Sequence, residues 1–201
     1  MTYRKKKVHH YNVSDTSNPS SKYDKEREVL FKELFDLKLS NSVISPLTIS
    51  RMELTKILYY NQIYQNILNK PGVIMEFGVR YGIGLSTLLK LRGIYEPYNY
   101  FREIIGFDTF DGFTNKLSSD EKKLGWKKND YGVVKNFENI LEKYLHLEES
   151  NTSINWIKKF KLVKGDVSNT IIKYLKDNPH TIIGMAIFDM DVYYPTKKVL
   201  E

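Results

Sequence analysis

The chain has 201 residues, which suits one domain with a small appendage, and 41% of them are apolar, which is enough to bury a core. It contains no cysteine, which excludes disulfides, thiolate metal sites and cysteine nucleophiles and fits a reducing, cytoplasmic location. The net charge is +7, but the basic residues are interspersed with acidic ones, which disfavours a nucleic-acid partner. No stretch is apolar enough to span a membrane.

The first third of the sequence predicts a tail followed by helices. Residues 1–22 are polar, basic and rich in serine and asparagine, so we expect a flexible basic tail. Apolar residues recur at helical spacing over residues 23–39 and again over residues 51–68, and Pro46 lies in the break between these two segments. Residues 23–70 are therefore predicted to form a helical extension.

From residue 71 to residue 201 short apolar runs alternate with helical stretches. The predicted strands are residues 73–77, 103–108, 160–166 and 181–191. The predicted helices are residues 85–95, 133–145 and 168–177, with a further helix starting near residue 195. This alternation predicts an α/β fold in which helices cover both faces of a doubly wound parallel sheet.

The fourth predicted strand, residues 181–191, is apolar on both faces over residues 181–190, which is typical of an interior strand in a parallel sheet. An interior strand needs a neighbour on each side, but the sequence continues for only a short helical stretch after it. We therefore expect that the C-terminal strands of the fold are missing from these 201 residues, or that another chain completes the sheet.

Every predicted strand delivers at least one carboxylate at its C-terminal end. These residues are Glu76, Asp108, Asp166, Asp189 and Asp191. Ligands of open parallel sheets bind beyond the carboxyl ends of the strands. The sequence therefore predicts a ligand site at the rim of the sheet that the carboxyl ends of the strands form.

Three glycines, Gly78, Gly82 and Gly84, follow the first strand. Glycine allows a tight turn and close approach of the backbone to a ligand, at which the next helix directs its first N–H groups. The spacing matches neither the dinucleotide fingerprint nor a P-loop, which disfavours NAD, FAD and ATP. Asp108 is placed to hold ribose hydroxyls. These features favour S-adenosylmethionine, and a tight turn without a ligand is the alternative.

Asp189 and Asp191 lie two residues apart at the end of a buried strand. Paired carboxylates there are unfavourable unless a cation or a proton offsets their charge. Oxygen ligands suit Mg²⁺, Mn²⁺ or Ca²⁺ better than zinc. One aspartate could bind a metal while the other removes a proton from a substrate hydroxyl. The alternative is a helix cap beside a solvated acid.

Four blocks of the sequence carry a family resemblance: "IMEFGVRYGIGLSTL", "IIGFDTFDGF", "LVKGDVSNTI" and "IFDMDVYYPTKKVLE". Together they resemble the macrocin O-methyltransferase (TylF/MycF-like) family, over residues 50–201. The resemblance implies a class I methyltransferase with a Rossmann-like sheet. It also implies Mg²⁺-assisted methyl transfer from S-adenosylmethionine to a hydroxyl of a sugar or another small-molecule acceptor.

The resemblance assigns Glu76, Gly78, Ser86, Asp108 and Asp166 to a cofactor site, and the glycine turn after the first strand adds Gly82 to the predicted site. Glu76 and Gly78 would lie at the methionine part of the cofactor, with Ser86 near it at the start of the next helix. Asp108 would hold the ribose, and Asp166 would face the adenine amino group.

The resemblance also implies that Asp189 is a metal ligand and that Asp191 is the general base. The helices over residues 22–68 would form a lid or an oligomer contact over the acceptor site, and a homo-oligomer is one arrangement that this allows. The family supplies further metal ligands, an Asp-Asp pair, after the fourth strand, where this sequence ends. A truncated or inactive cofactor-binding protein and a nucleic-acid methyltransferase remain alternatives.

Overall fold

The computed structural model describes residues 19–201. Residues 1–18, which make up most of the predicted tail, lie outside the described residues. The first helix begins at Pro19, so residues 19–22, which were predicted to belong to the tail, are helical. Within residues 19–201, no helix is both long enough and apolar enough to cross a membrane.

Helices and strands alternate along the second half of the chain. The elements are α1 (Pro19–Asp36), α2 (Asn41–Thr48), α3 (Arg51–Gln65), β1 (Val73–Phe77), α4 (Ile83–Tyr95), β2 (Ile104–Asp108), α5 (Ser119–Lys123), α6 (Phe137–Ser150), β3 (Phe160–Lys164), α7 (Val167–Asp177), β4 (Ile183–Phe188) and α8 (Tyr193–Leu200). The four predicted strands are all present, with ends that shift by a few residues. Two short helices, α2 and α5, were not predicted.

The chain divides into two compact units between Leu58 and Tyr59. This boundary falls inside α3, whereas the sequence placed the end of the helical extension at residue 70. The end of α3 belongs to the second unit because Tyr60 and Tyr64, together with Ile67 just after the helix, are buried in the core of that unit.

In the first unit, α2 begins without a side-chain cap, whereas local hydrogen bonds determine where α3 begins. Helix α2 contains Pro46, where the sequence predicted a break; a proline removes one backbone hydrogen bond, which this short helix tolerates. Helix α3 begins with a capping box. The Ser50 hydroxyl accepts a bond from the Glu53 N–H (3.1 Å), and the Glu53 carboxylate accepts one from the Ser50 N–H (2.6 Å).

The sheet is parallel throughout and has the strand order β3-β2-β1-β4. The chain proceeds outward from β1 to β2 and β3, and then returns to the other side of β1 to form β4. In open α/β sheets such a reversal leaves a crevice beyond the carboxyl ends of the strands on either side of it. Here those strands are β1 and β4.

Successive side chains of the central strands point to opposite faces of the sheet. Ile74 of β1 packs into a core formed with α4, α6 and the end of α3. Met75 and Phe77 pack into a second core with α7, and Val199 of α8 lies against that core. Helices therefore cover both faces, as the sequence predicted.

Strand β4 lies at one edge of the sheet in the described part of the chain, where it pairs with β1. Ile183 and Phe188 remain 46% and 38% exposed. The sequence predicted an interior strand here, since both faces are apolar. Its outer edge has no strand neighbour among residues 19–201.

A buried arginine contacts the backbone at the amino ends of the strands, which is the end of the sheet opposite the rim. Arg102 is 2% exposed and precedes β2. It donates hydrogen bonds to the backbone carbonyls of Ile67 (3.0 Å), Lys70 (2.7 Å) and Gly72 (2.5 Å), and to the carboxylate of Glu96. These bonds fix the turn between α3 and β1, so Arg102 has a structural role.

Candidate active site

Glu76 lies near the end of β1 and is 1% exposed. The Tyr60 hydroxyl donates a hydrogen bond to Glu76 Oε1 (3.1 Å). Burial raises the pKa of Tyr60, and the negative charge of Glu76 raises it further, so the phenol remains a donor. A Cβ at Gly84 would overlap both side chains, because it would lie 2.8 Å from Tyr60 Cζ and closer still to Glu76 Oε1. Helix α4 therefore begins directly against this carboxylate.

Gly78 brings the ends of β1 and β4 together. It has a φ of +97°, and a Cβ there would lie 2.8 Å from the carbonyl carbon of Asp189. The Asp189 N–H donates to the Phe77 carbonyl (2.9 Å), and the Gly78 N–H donates to the Phe107 carbonyl (2.9 Å) on the other side. The absence of a side chain at Gly78 therefore allows Asp189 to lie beside the end of β1.

Gly82 is the N-cap of α4 and has a φ of +73°. A Cβ there would lie 2.7 Å from Leu141 Cδ2. Each of the three glycines after β1 thus lies against other atoms of the protein. The role of these glycines in binding a cofactor stays a prediction. Ser86 lies in the first turn of α4, as predicted, where its hydroxyl accepts a hydrogen bond from Lys90 Nζ (2.6 Å).

Asp108 is the last residue of β2 and joins two loops at the rim. Its Oδ2 accepts a bond from the Arg80 N–H (2.8 Å), and its Oδ1 accepts one from the Phe110 N–H (2.6 Å). Burial raises the pKa of Asp108, while these backbone bonds act against the rise. Each carboxylate oxygen can accept a further hydrogen bond, so Asp108 can still receive a donor from a ligand.

Asp166 caps α7 and forms an ion pair. Its Oδ1 accepts a bond from the Ser168 N–H (2.9 Å), and its Oδ2 lies 2.9 Å from Lys116 Nζ. Burial acts to raise the pKa of Asp166, but the bonds from Lys116 and Ser168 together outweigh it, so the pKa lies below its usual value. The predicted contact with an adenine amino group would have to share this carboxylate with Lys116.

Asp189 and Asp191 follow β4 and are both solvent-exposed. Partial burial raises the pKa of Asp191, the negative charge of Asp189 raises it further, and Arg80 opposes the rise. Asp191 also lines an open cavity of about 460 Å³, together with Tyr193 and Thr196. A carboxylate with a raised pKa beside an accessible cavity can accept a proton from a ligand.

The described side chains do not complete a magnesium site. None of their clusters brings together three or more His, Cys, Asp or Glu residues that could hold a metal ion. Magnesium demands near-octahedral oxygen coordination, and Asp189 and Asp191 would supply only part of it. The metal-binding role of Asp189 stays a prediction.

Two residues beside the rim were not identified as site residues from the sequence. Arg80 has a left-handed φ of +49°, and its guanidinium carbon lies 5.4 Å from the centre of the Tyr81 ring and 5.1 Å from that of Tyr131. No sequence signal predicts this stacking, although Arg80 stands inside the turn after the first strand. Tyr60 was assigned to the helical extension; its spacing of four residues from Tyr64 could have indicated a buried helix face.

A third residue that was not identified from the sequence, Glu121, connects α5 to α8. Ser118 and Glu121 form a capping box that begins α5. Glu121 Oε1 also accepts a hydrogen bond from the Tyr193 N–H (2.6 Å) at the start of α8. The Ser-x-x-Glu pattern is a known helix-start signal and was visible in the sequence.

Comparisons with known proteins identify related methyltransferases. Neither a scan against protein-family models nor a search of curated proteins returned a match. Among solved structures, the calicheamicin methyltransferase CalS11 matches with 36% identity and a TM-score of 0.79, over 91% of this chain and 72% of that one. An apo structure of CalS11, described as a TDP-rhamnose 3'-O-methyltransferase of calicheamicin biosynthesis, matches with 34% identity and a TM-score of 0.71, over 91% and 71%.

A more distant structure shares the fold alone. The O-methyltransferase NovP matches with 16% identity and a TM-score of 0.50, over 72% of this chain and 57% of that one. The narrower assignment to the macrocin O-methyltransferases stays a prediction. The identity to CalS11, which extends over more than two thirds of that protein, shows that this chain belongs to the O-methyltransferase family that includes CalS11.

Proposed function

We propose that this chain transfers a methyl group from S-adenosylmethionine to a hydroxyl of a sugar. The similarity to CalS11 carries the proposal, because it extends over 91% of this chain at 36% identity. CalS11 is described as an enzyme that methylates TDP-rhamnose. A sugar attached to a nucleoside diphosphate is therefore the acceptor class that we propose for this chain.

The rim residues fit the chemistry of S-adenosylmethionine. The cofactor has a positively charged sulfur and ammonium group, which suit the Glu76 carboxylate at the end of β1. Its own carboxylate suits the N–H groups at the start of α4, where Gly82 supplies no side-chain cap. Its ribose hydroxyls suit the Asp108 carboxylate, which has free accepting capacity. The other proposed cofactor residues are Gly78, Gly82, Ser86 and Asp166.

Asp191 is the proposed general base. When bound, the cofactor supplies a methyl group on sulfur, and the sulfur keeps the electron pair of the broken carbon–sulfur bond. Asp191 accepts the proton of the acceptor hydroxyl, which leaves the oxygen free to form its bond to the methyl carbon. The raised pKa makes Asp191 a stronger base than an ordinary aspartate. Arg80 limits the rise and so helps to keep Asp191 ionised.

Magnesium assistance is implied by the family resemblance alone. Asp189 remains the predicted ligand, and the described residues leave its coordination incomplete. The Asp189 backbone nevertheless has a defined structural part, since its N–H bond to the Phe77 carbonyl (2.9 Å) anchors the segment that carries Asp191.

A methyl-transfer assay tests the proposal. Radiolabelled S-adenosylmethionine is incubated with the chain and with either TDP-rhamnose or free rhamnose. We expect label in the nucleotide sugar, and a loss of about 10²- to 10⁴-fold in turnover for Asp191→Asn. Asp120→Asn removes an equal charge from an exposed site on α5 and should retain activity. Full turnover in Asp191→Asn would exclude Asp191 as the base. Binding of the cofactor without transfer to either sugar would exclude rhamnose, free or attached to TDP, as the acceptor.

A further inference from the structure

We propose that Glu121 of α5 is a positioning residue, which holds the segment carrying Asp191 by capping the start of α8. The inference rests on the proposed function, in which Asp191 is the base. Glu121 lines the same cavity as Asp191, and the role assigned to it is exerted through its hydrogen bond from Tyr193, the first residue of α8.

Helix α8 obtains its cap from a distant part of the chain. Its own N-cap residue, Val192, has an apolar side chain and makes no capping hydrogen bond. The Tyr193 N–H instead donates to Glu121 Oε1 at 2.6 Å, across 72 positions of sequence. A carboxylate at a helix N-terminus satisfies a free backbone donor and interacts favourably with the helix dipole. The start of α8 is therefore tied to Glu121.

Glu121 is itself rigidly held. It is 7% exposed, and its second oxygen, Oε2, accepts a hydrogen bond from the Ser118 N–H (2.5 Å). The Ser118 hydroxyl accepts a bond from the Glu121 N–H (3.2 Å) in return. Burial acts to raise the pKa of Glu121, but the bonds from Tyr193 and Ser118 together lower it, so the carboxylate stays charged at neutral pH.

A second contact, from the loop that precedes α5, supports the arrangement. Lys116 Nζ pairs with Asp166 Oδ2 (2.9 Å) at the start of α7 and lies 5.2 Å from the centre of the Tyr194 ring. Lys116 and Glu121 thus contact consecutive residues of α8, Tyr194 and Tyr193. Two contacts to adjacent residues restrain both the position and the rotation of the first turn.

Asp191 lies between two anchors. At one end, the Asp189 N–H bonds to the Phe77 carbonyl of β1 (2.9 Å). At the other end, the Tyr193 N–H bonds to Glu121. Residues 189–192 connect these two points, so removal of the second anchor would release Asp191 while the β1 anchor and the proposed cofactor residues of β1 and β2 stay in place.

Kinetics of Glu121 variants test this role. Because a misplacement of about 1 Å can lower turnover roughly 10²-fold, we expect Glu121→Ala to lower kcat by about that factor, with KM for S-adenosylmethionine little changed. Glu121→Gln keeps one acceptor for the Tyr193 N–H and should recover part of the rate. The control is Asp120→Ala on the same short helix, whose carboxylate is 82% exposed and pairs with Lys123; it should behave as wild type.

A second measurement does not depend on catalysis. By NMR on the ligand-free chain, Glu121→Ala should speed hydrogen exchange of the Tyr193 amide and increase the mobility of residues 189–192, whereas Asp120→Ala should change neither. Unchanged exchange and mobility, or wild-type kcat in an active Glu121→Ala enzyme, would overturn the positioning role. If the wild-type chain transfers no methyl group, the proposed function fails, and the NMR comparison still decides the role of Glu121.

Discussion

Replacement of Gly84 with alanine tests the close contact between α4 and the carboxylate of Glu76. A Cβ at Gly84 would lie 2.8 Å from Tyr60 Cζ and would overlap Glu76 Oε1. Both partner side chains are buried, at 2% and 1% exposure, so neither can move into open space. The added methyl group must therefore separate Tyr60 from Glu76 or push α4 away from β1.

The expected change in the free energy of unfolding is the difference between opposing terms. Alanine is up to about 1 kcal/mol more favourable than glycine in a helix. Overpacking a core costs about 1–3 kcal/mol. Loss of the hydrogen bond between Tyr60 and the buried Glu76 carboxylate costs a further ~1–3 kcal/mol. Gly84→Ala should therefore destabilise the protein by about 1–5 kcal/mol.

Gly93 on the same helix provides a matched control. A Cβ there would lie 3.8 Å from its nearest neighbour, Thr152 Cγ2, which is ordinary contact. Gly93→Ala should therefore stabilise the protein by about 0.5–1 kcal/mol. Urea-induced unfolding measures the free energy of unfolding of both variants, and their m-values should be equal. A Gly84→Ala variant as stable as wild type would refute the contact between α4 and Glu76.

Three further predictions concern charged groups. Folding raises the pKa of Asp191, which penalises its charged form; Asp191→Asn should therefore raise Tm at pH 7, with the gain vanishing below the unfolded pKa of about 3.9. Arg102→Met should destabilise the protein by about 3–5 kcal/mol in urea, because Glu96 loses its buried partner. The pKa of Asp166 is lowered, so its stabilising contribution is present above its unfolded pKa and is lost as pH falls through the folded value. Lys116→Met should accordingly lower Tm at pH 7 and have little effect in strong acid.

The sheet was predictable because its signals are local. Each strand is a short apolar run, and the runs alternate with helical stretches, which together specify a parallel sheet. The same reasoning placed Glu76, Asp108 and Asp191 at the ends of the first, second and fourth predicted strands. In the structure Glu76 and Asp108 lie in the last two positions of β1 and β2, and Asp191 follows the end of β4. The order of the strands then determines that the ends of β1 and β4 are neighbours.

The contacts between distant residues were not predictable from local patterns. Tyr60 was assigned to a helical extension, but tertiary packing places it against Glu76, 16 residues away. Glu121 lies in a polar stretch with weak helical periodicity, and its bond to Tyr193 depends on how α5 packs against the start of α8. The left-handed backbone of Arg80 depends in the same way on its surroundings.

Binding of S-adenosylmethionine tests the central claim most directly. The 201-residue chain is titrated calorimetrically with S-adenosylmethionine, with NAD as the control ligand, in the presence and absence of Mg²⁺. We predict saturable binding of S-adenosylmethionine and no binding of NAD, and a dependence on Mg²⁺ would support the metal role predicted for Asp189. A folded sample that binds NAD, or that binds neither ligand, would contradict the assignment of the rim beyond β1 and β4 as a methyl-donor site.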